Sequence, residues 1–217
     1  MTSIIKRLFG EELGTLLILN LMTVACSLPV ITLVPAVTAL WGVLIRILSG
    51  RCDLDRKKAY WSLFKANLRR GILVELLLAA YGLLLLWCFS LADKLGDSAM
   101  LLRIAALAVS FLAAAVSVWL LLLLASSRSM PLPDALWNAV CLALGRLPRS
   151  LLAVLFTYGL SYCVFLLYPV SLLPLLAIIP SCMAVLTVAA CYQPLRELVL
   201  DRWPDDDPSD DDTPDTL

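Results

Sequence analysis

Few residues in this chain carry groups that could do chemistry, and their types exclude much. There is no histidine, which removes the commonest general base at neutral pH and the commonest metal ligand. The seven cysteines (Cys26, Cys52, Cys88, Cys141, Cys163, Cys182, Cys191) form no C-x-x-C pair, and most lie within apolar runs. In that setting they read as small buried apolar residues rather than ligands or a disulfide framework. No P-loop, Rossmann glycine pattern or H-E-x-x-H is present. The expectation is a non-enzymatic protein with no cofactor, no metal site and no nucleic-acid partner.

Two features remain. Glu75 is the only carboxylate well inside an apolar run. Five residues past Arg70, it sits ~7 Å below the interface by helical rise, and an acid at such a place is a functional-site candidate by default. The second is Leu28-Pro29-Val30-Ile31-Thr32-Leu33-Val34-Pro35. A proline within a membrane helix strands the carbonyl four residues back, which then needs another donor. Ser27, Thr32 and Thr38 carry hydroxyls that could serve. Transporters line substrate sites with such broken helices, and a tight hairpin turn uses the same residues. Asn20, Tyr81, Thr157, Tyr158, Ser161 and Tyr162 add polar groups to apolar runs, as interhelical hydrogen bonds would require.

These groups are positioned by a chain built for lipid. Of 217 residues, 61% are hydrophobic and 16% charged, with mean hydropathy +0.91; soluble domains run near 45–50% and about 25%. The formal charge of zero hides an asymmetry: Asp205, Asp206, Asp207, Asp210, Asp211, Asp212 and Asp215 leave the rest at +7, seventeen basic against ten acidic residues. Residues 203–217 read as a disordered acidic tail, and residues 1–202 as a transmembrane domain.

Leu13 to Ile45 is an uncharged run too long for one straight span, with Pro29 and Pro35 in its middle. Further apolar stretches cover about 71 to 92, 101 to 124, 150 to 170 and 172 to 192. Eight basic residues between Arg46 and Arg70 put that segment on the cytoplasmic side, and alternation then places Ser126 to Arg149 and the C-terminus there too. The fold expected is all-α: a polytopic helical membrane bundle with both termini cytoplasmic and six crossings, or five if the first run crosses once. Lys6 and Arg7 ahead of an apolar run, with Val24-Ala25-Cys26 within it, have the outline of a lipoprotein signal. The run does not stop at the cysteine, however, and Thr23 stands where leucine is wanted, so no cleavage is expected.

A repeat organises the spans. In Arg56 to Arg69, the residues Tyr60, Trp61, Phe64 and Leu68 fall on one helical face opposite Lys58, Ser62, Lys65 and Arg69. The pattern returns 76 residues later, with Trp61 matched by Trp137, Phe64 by Val140 and Leu68 by Leu144. Tyr81-Gly82-Leu83 is matched by Tyr158-Gly159-Leu160. Ile4, Ile5, Leu8 and Phe9 form a weaker third copy. Three units, about 1–48, 53–124 and 133–192, would each hold a surface helix and a helical hairpin. The surface helices should lie flat in the headgroup layer; Lys58, Trp61, Lys65, Arg69, Arg70, Trp137, Arg146 and Arg149 are their candidate docking residues.

The string from Leu17-Ile18-Leu19-Asn20-Leu21 through Cys26-Ser27-Leu28-Pro29-Val30-Ile31-Thr32 to Thr38-Ala39-Leu40 resembles the YesL-like family of bacterial membrane proteins, whose function is unknown. Phe64-Lys65-Ala66-Asn67 is similar to that family's F-K-x-N stretch, while Val34 stands where glycine precedes the proline. The resemblance implies a multi-pass protein of the bacterial plasma membrane, often encoded near carbohydrate-uptake transporters of the ATP-binding-cassette type. It implies no catalytic or binding residues. The function expected is an accessory or permease-like component of carbohydrate uptake, partnered by lipid, by such a transporter or by its own copies. The other reading is a structural or regulatory protein whose basic helices dock anionic lipid or a cytoplasmic partner.

Overall fold

The computed structural model describes residues 13–49, 55–95, 100–126, 130–166 and 179–195. All regular structure among them is helical. Helix α1 (Leu13–Ser27) leads through a 3-10 turn (Val30–Thr32) into α2 (Leu33–Ser49). Then come α3 (Arg56–Leu95), α4 (Met100–Ser126), α5 (Leu132–Gly145) and α6 (Leu147–Val154). A π-helical turn (Leu155–Gly159) joins α6 to α7 (Leu160–Leu166), and α8 is Ile179–Leu195. The third repeat copy around Ile4 to Phe9 and the acidic tail lie outside the described residues.

The core forms around α2. Most of its residues are apolar, and Val34 to Ala36 and Thr38 to Ile45 are buried, as in a helix enclosed by others. Helices α1, α3, α4 and α8 pack against it. Two glycines set how closely. A Cβ on Gly71 would come 2.6 Å from Pro35 Cγ, and one on Gly42 would meet Ala125 O and Leu63 Cδ1 at 2.9 Å. The face of α3 turned inward carries Tyr60, Leu63, Asn67, Gly71 and Val74, at helical spacing. The C-terminal half of α4 is buried from Ser117 to Ala125.

Beyond this core, α3 and α4 continue as an apolar hairpin. Leu76, Leu77, Leu83, Leu84, Leu86 and Trp87 on α3, and Leu101, Ile104, Leu107 and Val109 on α4, are exposed. Such a surface suits lipid rather than water. Helices α3 and α4, at 40 and 27 residues, are long and apolar enough to cross a membrane. A third span arises if the bent pair Leu132–Gly145 and Leu147–Tyr162 is counted as one. These helices suggest a membrane protein.

Three expectations need correcting. First, the N-terminal legs are 15 and 17 residues, or ~22 and ~25 Å, short of a hydrocarbon core of about 30 Å. Their connecting turn rests against Gly71 and Glu75, and α3 runs on from Glu75 to Leu95, another ~30 Å. The first hairpin therefore ends well short of the far end of α3, and the described residues give two or three candidate spans, so six crossings are not confirmed. Second, no separate surface helix precedes the span at Gly71, because α3 is unbroken from Arg56 to Leu95. In the second unit the chain does turn, by 104° at Arg146. There Pro148 offers no N–H to continue the helix, whereas Ile72 occupies the equivalent position in the first unit. Third, the aromatic stripe is divided: Tyr60 is fully buried, while Trp61 is 44% exposed.

Because Gly71 admits the Pro35 ring, Gly71→Ala should overpack the contact and cost about 1–3 kcal/mol. Thermal unfolding in detergent should show the loss for Gly71→Ala and none for Gly82→Ala, where a Cβ meets open space.

Candidate functional site

The turn between α1 and α2 would leave several main-chain groups without partners. The Thr32 N–H donates to Pro29 O (2.8 Å), and the Thr32 hydroxyl lies 2.5 Å from Cys26 O and 2.8 Å from Pro29 O. Ser27 and Thr38 donate to Val24 O (2.9 Å) and Pro35 O (2.9 Å). The three hydroxyls thus bond main-chain carbonyls beside the proline break, but not those of Ala25 and Ile31, four residues before each proline.

At the other end of the turn, the first amides of α2 have no carbonyl of their own helix to meet. Pro35 removes one of these donors by having no N–H. The Val34 N–H donates to Glu75 Oε2 at 3.3 Å. A carboxylate at a helix N-terminus is also favoured by the helix dipole. Glu75 is therefore held by a structural contact, and that contact carries it into a further feature of the bundle.

That feature is a cleft of about 760 Å³ among the α1–α2 turn, α3, α4, the π turn and α8. Along α3 its lining runs from Glu75 to Leu85, inside the stretch between Arg70 and Asp93. Glu75 is the sole charged lining residue among the described residues. Hydroxyls line it from every side: Thr23 and Ser27 of α1, Tyr81 of α3, Ser110 and Ser117 of α4, Thr157 and Tyr158 of the π turn, and Ser161 of α7.

Most of those hydroxyl protons are already committed. Thr23 donates to Leu19 O (2.8 Å), Ser110 to Ala106 O (2.6 Å), Ser117 to Ala114 O (2.8 Å) and Ser161 to Thr157 O (2.7 Å). With the Ser117 proton so used, the Tyr158 hydroxyl 2.6 Å away acts as its donor. Thr157 pairs with Thr187 at 2.9 Å. The wall is mainly apolar, and the few polar groups it carries are biased toward acceptors, hydroxyl oxygens and one carboxylate. The Tyr81 hydroxyl is buried and has no hydrogen-bond partner among the described residues.

Of the residues singled out in sequence, Ser27, Glu75, Tyr81, Thr157, Tyr158 and Ser161 line this cleft. Pro29, Thr32, Pro35 and Thr38 shape the turn beside it, and Asn20 is buried within α1. Tyr162 is 63% exposed and stays outside. Thr23, Ser110 and Ser117 were not anticipated. Ser110 and Ser117 had a signal, being two hydroxyls seven residues apart, and so on one face, in an apolar helix.

The proposed docking residues lie away from the cleft. Lys58 pairs with Asp55 (3.1 Å), Lys65 Nζ sits 5.6 Å from the Trp61 ring centroid, and Arg69 is exposed. Arg70 donates to Met130 O (3.4 Å) and Arg149 to Gln193 Oε1 (3.0 Å). Trp137 is 70% exposed, and Arg146 marks the bend. Among the described residues no three Cys, Asp or Glu side chains could together hold a metal ion.

An all-helical set of described residues, with two or three helices long and apolar enough to cross a membrane and a mainly apolar cleft among them, suggests a helical membrane protein. Residues 16–89 match a protein family described as "Protein of unknown function, DUF624", consistent with the YesL-like resemblance of the same stretch. The match spans the proline turn, Asn67, Gly71 and Glu75, and Asn67 is buried with its Nδ2 donating to Leu124 O (3.3 Å) near the end of α4. No curated protein and no solved structure matches the chain.

Glu75→Ala should leave the Val34 N–H unpaired and cost about 1–3 kcal/mol, whereas Glu75→Gln keeps an acceptor and most of the stability. Thermal unfolding of the two variants side by side checks this ordering.

Proposed function

We propose that this is a non-enzymatic integral protein of the bacterial plasma membrane that binds a small polyhydroxylated ligand in the cleft. It would act as a permease-like or accessory component of carbohydrate uptake. The observation that supports the reading is a mainly apolar wall whose few polar groups are biased toward acceptors, because their hydroxyl protons are committed and Glu75 is a carboxylate. Such a wall suits a ligand that pairs apolar C–H faces with a few hydroxyl donors, which a sugar does. The volume falls within the ~300–1,000 Å³ of small-molecule sites. The family resemblance supplies the link to carbohydrate uptake and names an ATP-binding-cassette transporter as the partner to test.

In this reading the basic end of α3 faces the cytoplasm. Arg70 and Asp93 bracket the hydrocarbon, 23 residues or ~35 Å apart on the helix. The N-terminal hairpin enters and leaves on the cytoplasmic side, and its turn reaches the level of Glu75. The chain ends then share that side, as six crossings would also have required.

Tyr81→Phe tests the ligand site without touching the fold, because the hydroxyl removed bonds nothing among the described residues. Binding of radiolabelled sugars to purified protein should weaken for Tyr81→Phe and Glu75→Gln while the melting temperature of Tyr81→Phe stays put. If a deletion strain takes up sugars normally, and no transporter subunit accompanies the solubilised protein, the uptake role is lost.

A further inference from the structure

The N-terminal half of α3 exposes a stripe at four-residue spacing: Trp61, Lys65, Arg69 and then Leu73. Within one turn the exposed face changes from cationic to apolar, and Leu76 and Leu77 continue the apolar part. That change marks where water gives way to hydrocarbon. The distance along α3 to the charged residues at its other end, Asp93 and Lys94, agrees: from Arg69 it is ~36 Å, enough for a core of about 30 Å and part of a headgroup layer.

The direction of α3 raises these cations into that layer. Side chains on a helix lean toward its N-terminus, and here the N-terminus lies on the watery side. Lys65 shows the lean, its Nζ lying over the Trp61 ring one turn back. An Arg69 side chain leaning the same way ends near the level of Lys65. Two cations and an exposed indole then share the height of the phosphates, with lipid-facing leucines directly beneath. Neighbouring cations are occupied elsewhere: Lys58 pairs with Asp55, Arg56 Nη1 donates to Thr15 Oγ1 (2.9 Å), and Arg70 reaches Met130 O. Neither Lys65 nor Arg69 has an acidic partner among the described residues.

We infer that Lys65, Arg69 and Trp61 form a binding site for the headgroup of an anionic phospholipid, whose acyl chains lie along Leu73 and Leu77. Trp61 and the cations supply the interfacial aromatic and the charge, and the exposed leucines supply the apolar wall that a soluble phosphate would not need. Lys57, two turns beyond Lys65, stands too far into water to share in it. The site is independent of the cleft and of any ligand bound there.

The test uses the full chain in detergent, titrated with dioleoyl phosphatidylglycerol or dioleoyl phosphatidylcholine and read by native mass spectrometry and thermal unfolding. Phosphatidylglycerol should bind and stabilise preferentially, and more salt should weaken the effect. Lys65→Gln with Arg69→Gln should weaken that affinity about 30-fold, two charges at ~1 kcal/mol each. The charge-preserving pair Lys65→Arg with Arg69→Lys should restore it, and Lys57→Gln and Lys94→Gln should leave it unchanged. Undiminished preference in the double glutamine variant would overturn the site. Equal stabilisation by glycerol 3-phosphate would overturn the lipid as its occupant.

Discussion

Main-chain amides at the start of a helix need partners, and in apolar surroundings water does not provide them. Helix α2 begins in such a place, beneath the turn that Pro29 and Pro35 impose. Its solution draws in a second helix: Pro35 has no amide to satisfy, its ring fits against Gly71, and the Val34 amide bonds Glu75 four residues further along α3. These contacts fix the height of the α1–α2 hairpin on α3. They also place a carboxylate where the helices part, so the cleft and the packed core share one anchoring point.

From that point the molecule divides by surroundings. On the basic side of Gly71, α2 is enclosed by its neighbours, and buried polar groups such as Asn67 and Ser150 bond main-chain carbonyls. Ser150 accepts from Trp119 Nε1 (2.8 Å) and lies 3.1 Å from both Ala143 O and Arg146 O, tying the bend between α5 and α6 to α4. On the other side, α3 and α4 pack on each other and present leucine outward among the described residues. Polar residues there concentrate on the inner wall, where hydroxyls bonded to their own helices leave acceptors in the cleft.

The sequence made the helical class legible, along with the proline break, the isolation of Glu75 and the hydroxyls that bond main-chain carbonyls beside that break. Each follows from local chemistry: hydropathy, missing N–H groups and short-range donors. What could not be read locally was depth. Pro29 and Pro35 mark a turn, but only the contact with Gly71 says how far along α3 it sits, and glycine spacing alone does not identify its partner. The duplicated pattern misled for a related reason. Trp61 and Trp137 occupy matching positions, yet Pro148 breaks the second copy while Ile72 lets the first run straight, so similar stripes give different paths. Tyr60 and Trp61 divided because the stripe facing the core was the neighbouring one, with Leu63 and Gly71, which an apolar-versus-charged count does not distinguish.

The central claim is that the first hairpin is seated at the middle of α3 and does not extend to its far end. A distance between spin labels at Ile31→Cys and Leu91→Cys, in a background free of native cysteines and in lipid nanodiscs, tests this directly. Sixteen residues separate Glu75 from Leu91, so the account predicts a separation centred at about 25–30 Å. A distribution centred near ~10 Å, the spacing of packed helices, would put the turn beside the far end of α3 and contradict it.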